Sequence, residues 1–138
     1  MTNAKVEVRH DTLDVETYLR LRSEAGLSGY TEEAARKGLA GTIFAVVLLS
    51  DDATIGMGRI VGDGGCFFQI VDIAVDPAFQ GQGLGKQIMS ELMAYLETNA
   101  PPSAYVSLIA DEPANKLYEQ FGFRETAPGS VGMARRLQ

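Results

Sequence analysis

Two residue types that often build catalytic and metal sites are almost missing from this sequence. Its 138 residues include one cysteine, Cys66, and one histidine, His10. A structural zinc site takes about four such ligands, so we expect no metal. A single cysteine cannot form an internal disulfide, which favours a reducing compartment. We therefore interpret Cys66 as a small buried residue rather than as a catalytic thiol.

Long apolar runs and an excess of positive charge are missing as well. No segment reaches the roughly 18 apolar residues of a membrane span, and the N-terminus lacks a signal-peptide pattern. The sequence has 12 Lys and Arg against 18 Asp and Glu, a net charge of -6. Phosphate backbones and anionic membranes need a basic face. We therefore expect a cytoplasmic protein with no nucleic-acid and no membrane partner.

Apolar periodicity predicts a single domain, residues 1–138, in the order β-α-α-β-β-β-α-β-α-β-β. Apolar residues make up 46% of the chain, which is ordinary for a globular domain. The last two strands of this order are "GFRETA" and "VGMARRL". The predicted fold class is α+β, an α/β sandwich in which helices cover a mixed sheet.

The stretch "QGQGLGK" places three glycines at alternate positions between a strand and a helix. The strand is "CFFQIVDIAV", and the helix carries a buried stripe at Leu84, Ile88, Leu92 and Leu96. Glycines let several backbone N–H groups approach an anion, and the helix dipole points the same way. A pyrophosphate is the natural ligand of such a loop, and a tight turn that uses glycine only for its geometry is the alternative.

Two well-known phosphate loops do not fit. A P-loop requires G-x-x-x-x-G-K-[ST], and here Gln80 stands at the first glycine and Gln87 at the hydroxyl position. The dinucleotide pattern G-x-G-x-x-G requires a third glycine where Ile88 stands. The sequence therefore argues against ATP and NAD as ligands.

Two blocks resemble the GNAT family of N-acetyltransferases. "VDIAVDPAFQGQGLGKQIM" is similar to the family's acyl-CoA motif Q/R-x-x-G-x-G/A, with Gln80, Gly83 and Gly85 in the motif positions. "LIADEPANKLYEQFGF" resembles the family's later strand–helix–strand block. The resemblance implies the GNAT fold, a mostly antiparallel sheet of about six to seven strands flanked by about four helices. It also implies direct acetyl transfer from acetyl-CoA, as co-substrate, to an amine.

The resemblance assigns cofactor contacts to the glycine loop, to one strand and to one later helix. The loop amides would hold the CoA pyrophosphate, and the free backbone of the strand would pair with the pantetheine arm. The cofactor-binding residues are then Ile73, Ala74, Val75, Gln80, Gly81, Gln82, Gly83, Leu84, Gly85, Lys86, Asn115 and Tyr118.

Three residues are candidates for the chemistry. The Ile73 N–H would face the thioester carbonyl, and Tyr118 would protonate the departing thiolate. Without the resemblance, Tyr118 reads as a core tyrosine beside Leu117. Asp72 would take the proton of the amine, directly or through water, because burial among apolar neighbours favours a carboxyl that binds a proton. The alternative for Asp72 is a structural carboxylate held by backbone donors.

The amine acceptor leaves a weaker signature. We expect it to enter beside the first two helices, with Glu24, Tyr30, Arg59 and Asp63 as candidate contacts. Glu24 and Asp63 could draw a cationic amine, or they are solvated surface charges. The ending "GSVGMARRL" is similar to those of small arylalkylamine and aminosugar acetyltransferases, which favours a small-molecule acceptor.

Three other interpretations stay open at this point. The first is a non-catalytic acyl-CoA-binding or sensor domain on the same fold, and the second is acetylation of a protein or peptide amine. The third is an interaction module without a cofactor, which the intact glycine loop opposes. The last strands are also a candidate surface for a homodimer.

Overall fold

The computed structural model of the chain describes residues 5–138. The described chain divides into two compact units, one that ends at Leu108 and one that spans Ile109–Gln138. The first unit carries the sheet and three helices, and the second carries one short helix and turns.

The first unit contains a five-stranded sheet with the strands in sequence order. β1 to β4 pair as antiparallel neighbours, and β4 and β5 run parallel. Antiparallel neighbours need only short connections, whereas a parallel pair needs a crossover that a helix supplies. The strands are β1 Glu7–Arg9, β2 Phe44–Ser50, β3 Ala53–Gly62, β4 Phe67–Val75 and β5 Tyr105–Ser107.

The helices begin where the sequence provides caps. α1, Val15–Glu24, starts after Asp14, whose carboxylate accepts the Thr17 N–H at 3.1 Å. α2, Glu32–Ala40, starts after Thr31, whose hydroxyl accepts the Ala34 N–H at 3.1 Å. Such caps satisfy N–H groups that the first turn leaves without a helical acceptor. Asp14, and not the nearby Thr12, is therefore the cap of α1.

α3, Leu84–Asn99, buries the stripe that its periodicity predicts, together with Met89. Ile88 approaches β3 at Gly56 and Gly58, which lie on one face of the sheet. Met57, whose side chain faces the other way, packs with residues of α1 and α2. Helices therefore cover both faces of the sheet, as the predicted sandwich requires.

The second unit contains α4, Asn115–Glu119, and a defined helix end. Gly122 has φ +89°, its N–H bonds the Glu119 carbonyl at 3.1 Å, and the Phe123 N–H bonds the Tyr118 carbonyl at 3.3 Å. This pair of bonds is a Schellman motif, which uses glycine in the left-handed conformation. Gly122 is thus the helix stop that the sequence predicts.

The prediction of two closing strands is wrong. Residues 109–138 contain no strand in the described structure, so the sheet has five strands rather than six or seven. Thr126 and Ser130 instead close a turn around Pro128 and Gly129, in which the Ser130 N–H bonds the Thr126 carbonyl at 3.0 Å. Proline and glycine are poor strand residues, and the short apolar segments beside them do not outweigh that preference.

Candidate active site

The glycine loop connects β4 to α3 through two left-handed residues. After β4, the carboxylate of Asp76 accepts the Ala78 N–H at 2.9 Å and shapes a single 3₁₀ turn, Pro77–Phe79. Gly81 and Gly83 then take φ values of +82° and +79°, and α3 starts directly after Gly83. Gln80 fixes the loop to the strand, because its amide Nε2 donates to the Val75 carbonyl at 3.0 Å.

Open space lies where side chains on these glycines would point. A Cβ on Gly81 or on Gly83 would meet no atom within 4 Å. Backbone conformation, and not crowding, therefore requires glycine at both positions. The first-turn amides of α3, at Leu84, Gly85 and Lys86, lack helical acceptors and carry the positive end of the helix dipole. The loop thus presents donors to an open space, which suits an anion such as a pyrophosphate.

Beside this loop, most of β4 has no strand partner within residues 5–138 on the side that faces away from β3. In the described residues, β5 pairs with β4 at Phe67, Phe68 and Gln69. The Asp76 N–H bonds the Ile55 carbonyl of β3 at 2.7 Å. Backbone groups alternate along a strand, so the amide of Val75 faces away from β3. Ile73, Ala74 and Val75 therefore lie in the part of β4 that an extended amide-bearing ligand can join as a strand.

A β-bulge lies in the middle of this open part. Met57 pairs with Ala74 and Arg59 pairs with Val71, so Asp72 and Ile73 together oppose Gly58. Asp72 has φ +62°, a value that non-glycine residues seldom adopt. A bulge bends its strand and re-aims the groups beside it, and Ile73 is the residue that directly follows Asp72 in this bulge.

The carboxylate of Asp72 is the centre of a buried cluster. Tyr18 donates its hydroxyl to Oδ2 at 2.9 Å, and Arg59 donates Nε to the same oxygen at 2.8 Å. Arg22 donates Nη1 to Oδ1. The Asp72 side chain is 4% exposed, and those of Arg22 and Arg59 are 9% and 10% exposed. We call Tyr18, Arg22, Arg59 and Asp72 the bulge cluster.

The surroundings of Asp72 differ from those that the sequence predicts. Its polar neighbours are two guanidinium groups and a phenol, whereas the sequence predicts apolar surroundings. The bonds come from side chains, whereas the alternative reading predicts backbone donors. Burial and then the charge of Asp72 raise the pKa of Tyr18 to about 12, so Tyr18 is a neutral donor. A general-base role for Asp72 stays a prediction, and this arrangement disfavours it.

Of the four predicted acceptor contacts, Arg59 and Tyr30 lie at the bulge cluster, whereas Asp63 and Glu24 bond other groups. Arg59 belongs to the bulge cluster, and Asp63 holds a turn, in which its Oδ1 accepts the N–H groups of residues 65–67. These bonds, the one from Phe67 first, lower the pKa of Asp63. Glu24 lies at the end of α1 and bonds Arg20 at 2.8 Å. The Tyr30 ring lies 4.7 Å from the Cζ atom of Arg22, beside the bulge cluster.

Sequence patterns did not identify Tyr18 and Arg22 as functional candidates. Both are buried on α1 and lie four residues apart on one helix face. Arginine is rarely buried without a partner, so an arginine beside Leu21 on the apolar face of α1 was the signal for an internal carboxylate. Its partner lies 50 residues away in the sequence, which local patterns do not connect.

Asn115 and Tyr118 lie one turn apart on α4, within the second unit. Burial, and then the charge of Asp111, raise the pKa of Tyr118 above its ordinary value. The phenol therefore holds its proton at neutral pH, as a general acid must. No observation tests their contact with a cofactor, and both stay predictions.

Cys66 is exposed, which contradicts the predicted burial. It follows the Gly64–Gly65 turn at the start of β4, where no element covers its side chain. Within residues 5–138, no cluster of three or more His, Cys, Asp and Glu side chains could hold a metal ion. No helix in the same range combines the length and apolarity that crossing a membrane requires.

Most of the chain matches a known protein family. Residues 12–134 match the acetyltransferase (GNAT) domain family. A Staphylococcus aureus protein of unknown function, described as a probable acetyltransferase, has a solved structure with a TM-score of 0.92. It is 50% identical, and the match covers 96% of this chain and 100% of that one.

Two curated relatives indicate the range of the family. Serotonin N-acetyltransferase 2, chloroplastic, from rice is 30% identical over 88% of this chain and 62% of its own length. The ribosomal protein bS18-alanine N-acetyltransferase of Salmonella typhimurium is 36% identical over 56% of this chain and 53% of its own length. The chain spans about a third of the length of several plant relatives, 30 to 33%.

Proposed function

Because the chain belongs to the GNAT acetyltransferase family, we propose that it transfers the acetyl group of acetyl-CoA directly to the primary amine of a small molecule. The observation that carries this proposal is the position of the glycine loop, which opens α3 directly beside the unpaired side of β4. The loop suits a pyrophosphate, and the strand suits an extended amide chain. Coenzyme A contains both groups.

In this proposal, the loop and β4 hold acetyl-CoA from its two ends. Amides of residues 81–86 bind the pyrophosphate, with Gln80 fixing the loop to Val75. The open backbone at Ile73, Ala74 and Val75 binds the pantetheine arm as an added strand. Asn115 supplies a further contact to that arm.

The chemistry follows from charge that develops on two atoms. When the amine attacks the thioester carbon, the carbonyl oxygen becomes negative and accepts the Ile73 N–H. Loss of one such donor costs roughly 3 kcal/mol of barrier. The C–S bond then breaks, and Tyr118 gives its proton to the thiolate. Water takes the proton of the amine, because Asp72 already accepts three bonds from the bulge cluster.

A small acceptor is the better supported of two choices. Tyr30 and Glu24 lie near one end of α1 and offer an aromatic ring and a carboxylate, which suit a small aromatic or aliphatic amine. The rice relative is named for serotonin. The Salmonella relative is named for a protein alanine, so a protein or peptide amine is the second candidate. A domain that binds acyl-CoA without turnover is the third.

The proposal extends to the compartment, the domain and the assembly of the protein. One cysteine and a net charge of -6 suit a reducing, cytoplasmic compartment, with residues 1–138 acting as one functional domain and a homodimer as the candidate assembly.

Acetyl-CoA binding by calorimetry tests the proposal. In Gly83→Glu, a carboxylate faces the bound pyrophosphate and a side chain occupies a left-handed position, so binding should be lost. Gly83→Asn separates the two effects, because asparagine tolerates this conformation. Gly132→Glu is the matched control, since it adds the same charge at an exposed position where a Cβ would meet no atom within 4 Å.

The acceptor is then identified by thiol release with a panel of arylalkylamines, aminosugars and peptides that begin with alanine. Turnover with one amine class supports catalysis and names the acceptor. Turnover with peptides alone would replace the small molecule by a protein amine. If the wild-type protein does not bind acetyl-CoA, the enzyme proposal fails and the glycines form only a turn.

A further inference from the structure

Asp72 combines three features that rarely occur together. It is a non-glycine residue with φ +62°, it lies in a β-bulge, and its carboxylate is buried between two guanidinium groups. We propose that Asp72 is a positioning residue, whose bonds to Arg22 and Arg59 hold the bulge so that the adjacent backbone amide polarises the thioester carbonyl. This inference rests on the proposed acetyl transfer.

The left-handed conformation needs an external restraint. A side chain at positive φ is strained, although aspartate tolerates it better than most residues. Three donors from two different elements, α1 and β3, close on the two carboxylate oxygens and fix this conformation. Backbone strain maintained by the surrounding structure is typical of functional positions.

The same cluster also bonds chain before, within and after α2. Arg22 donates Nη2 to the carbonyl of Ser28, between α1 and α2, at 2.7 Å. Arg59 donates Nη1 to the carbonyl of Gly38, within α2, at 3.1 Å and to the hydroxyl of Thr42, which follows α2, at 2.6 Å. The two arginines that bind Asp72 therefore also bind backbone and side-chain oxygens on both sides of α2, beside the proposed acceptor entrance.

The charges of the cluster favour the same role. Two guanidinium groups face one carboxylate, and Tyr18 is neutral, so the cluster carries one excess positive charge. This excess charge stabilises an anion that develops near the bulge. The cluster thus suits the carbonyl oxygen of the thioester better than the ammonium group of an acceptor.

The experiment reads the carbonyl directly, without an acceptor. Isotope-edited infrared spectroscopy of bound [1-¹³C]acetyl-CoA should show a carbonyl stretch at lower frequency than in free acetyl-CoA. Asp72→Asn leaves two arginines unpaired, so the main variant is the double substitution Arg59→Gln with Asp72→Asn, which keeps the net charge of the cluster. Its carbonyl stretch should return toward the free value. Tyr18→Phe, which removes one donor and no charge, should give an intermediate shift.

Kinetics supply the second readout. The double variant should lose on the order of 100-fold in kcat while its Kd for acetyl-CoA stays close to wild type, because misplacement affects the reacting atoms and not the pyrophosphate. Arg36→Gln, an exposed arginine on α2, is the matched control and should change neither readout.

The pH profile separates positioning from base catalysis. Tyr18, Arg22 and Arg59 face Asp72 from α1 and β3, and burial with the charge of Asp72 raises the pKa of Tyr18 to about 12. If Asp72 positions the bulge, Asp72→Asn lowers the plateau of kcat/KM and keeps its acid limb. Loss of the acid limb would overturn the inference and make Asp72 the base.

The remaining outcomes are also decisive. An unchanged carbonyl stretch in the double variant and in Tyr18→Phe would overturn the inference even if both proteins were less stable. Failure of the wild-type protein to bind acetyl-CoA would instead overturn the proposed function. An unfolded double variant leaves Tyr18→Phe to decide, because that substitution retains both ion pairs.

Discussion

The substitution Gly58→Ala should increase the separation between α3 and β3 beside the bulge. An ideal Cβ at this position lies 2.5 Å from Ile88 Cγ2 and 3.1 Å from Leu92 Cδ1. Real Cβ atoms do not approach another atom as closely as 2.5 Å. Ile88 Cγ2 is attached next to the helix backbone, and both side chains are fully buried. Relief therefore requires the helix or the strand to move.

The expected cost follows from two opposing effects. Overpacking a buried site costs about 1–3 kcal/mol, and replacing glycine by alanine recovers up to about 1 kcal/mol through the unfolded chain. We expect a net loss of about 1–2 kcal/mol in the free energy of unfolding, measured by urea denaturation. Gly38→Ala is the matched control, because it adds a methyl group to an exposed position of α2 with no atom within 4 Å. It should stabilise by about 0.5–1 kcal/mol.

The same substitution has a functional consequence. Gly58 opposes Asp72 and Ile73, and Ile88 lies one turn into the helix that starts at the glycine loop. Movement of α3 changes the distance between the loop and β4, so acetyl-CoA affinity measured by calorimetry should fall. A Gly58→Ala protein with wild-type stability and affinity would refute the close packing of α3 on β3.

Two further predictions concern titrating groups. Asp14→Ala removes the cap of α1 and should cost about 1 kcal/mol in chemical denaturation at pH 7. The hydroxyl of Thr17 first, and then its N–H, lower the pKa of Asp14 in the folded protein. The stabilisation by the Asp14 carboxylate is therefore present above the pKa of aspartate in the unfolded chain, near 4, and is lost as the pH falls through the lower folded pKa. An equal loss of stability in Asp14→Ala at pH 2 would contradict this assignment. Tyr118→Phe should lower kcat by roughly 100-fold in the thiol-release assay. Because burial, and then the charge of Asp111, raise the pKa of Tyr118, any loss of wild-type kcat through Tyr118 deprotonation should occur at higher pH than the ionisation of a free tyrosine. Unchanged turnover in the variant would exclude Tyr118 as the acid.

Local signals predicted most of the fold. The stripe on α3, the hairpins that join β2 to β4 and the glycine stop after α4 each depend on residues close in sequence, and the structure confirms them. The glycine loop belongs with them, because strand, turn and helix follow one another directly. Family resemblance added the fold and the acetyl-CoA chemistry, which local patterns alone do not contain.

The bulge cluster could not be predicted in the same way. Tyr18 and Arg22 reach Asp72 across 54 and 50 residues. An aspartate within an apolar strand predicts a buried carboxyl. Its bonding partners decide whether that carboxyl is a general base or a positioning residue. The prediction of two closing strands is wrong for a local reason, since the proline and glycines between and within the short apolar segments favour turns over strands.

The limited pairing of β4 and β5 also bears on how the sheet assembles. β2, β3 and β4 are joined by hairpins, so their pairing closes short loops, whereas β5 reaches β4 only after the chain has passed through α3. Pairing across a longer loop is slower to form. We therefore expect β2, β3 and β4 to pair first and α3 to pack on them before β5 pairs with β4. The last step then adds three residue pairs to the sheet. The unpaired part of β4 thus begins where the last pairing among β2 to β5 ends.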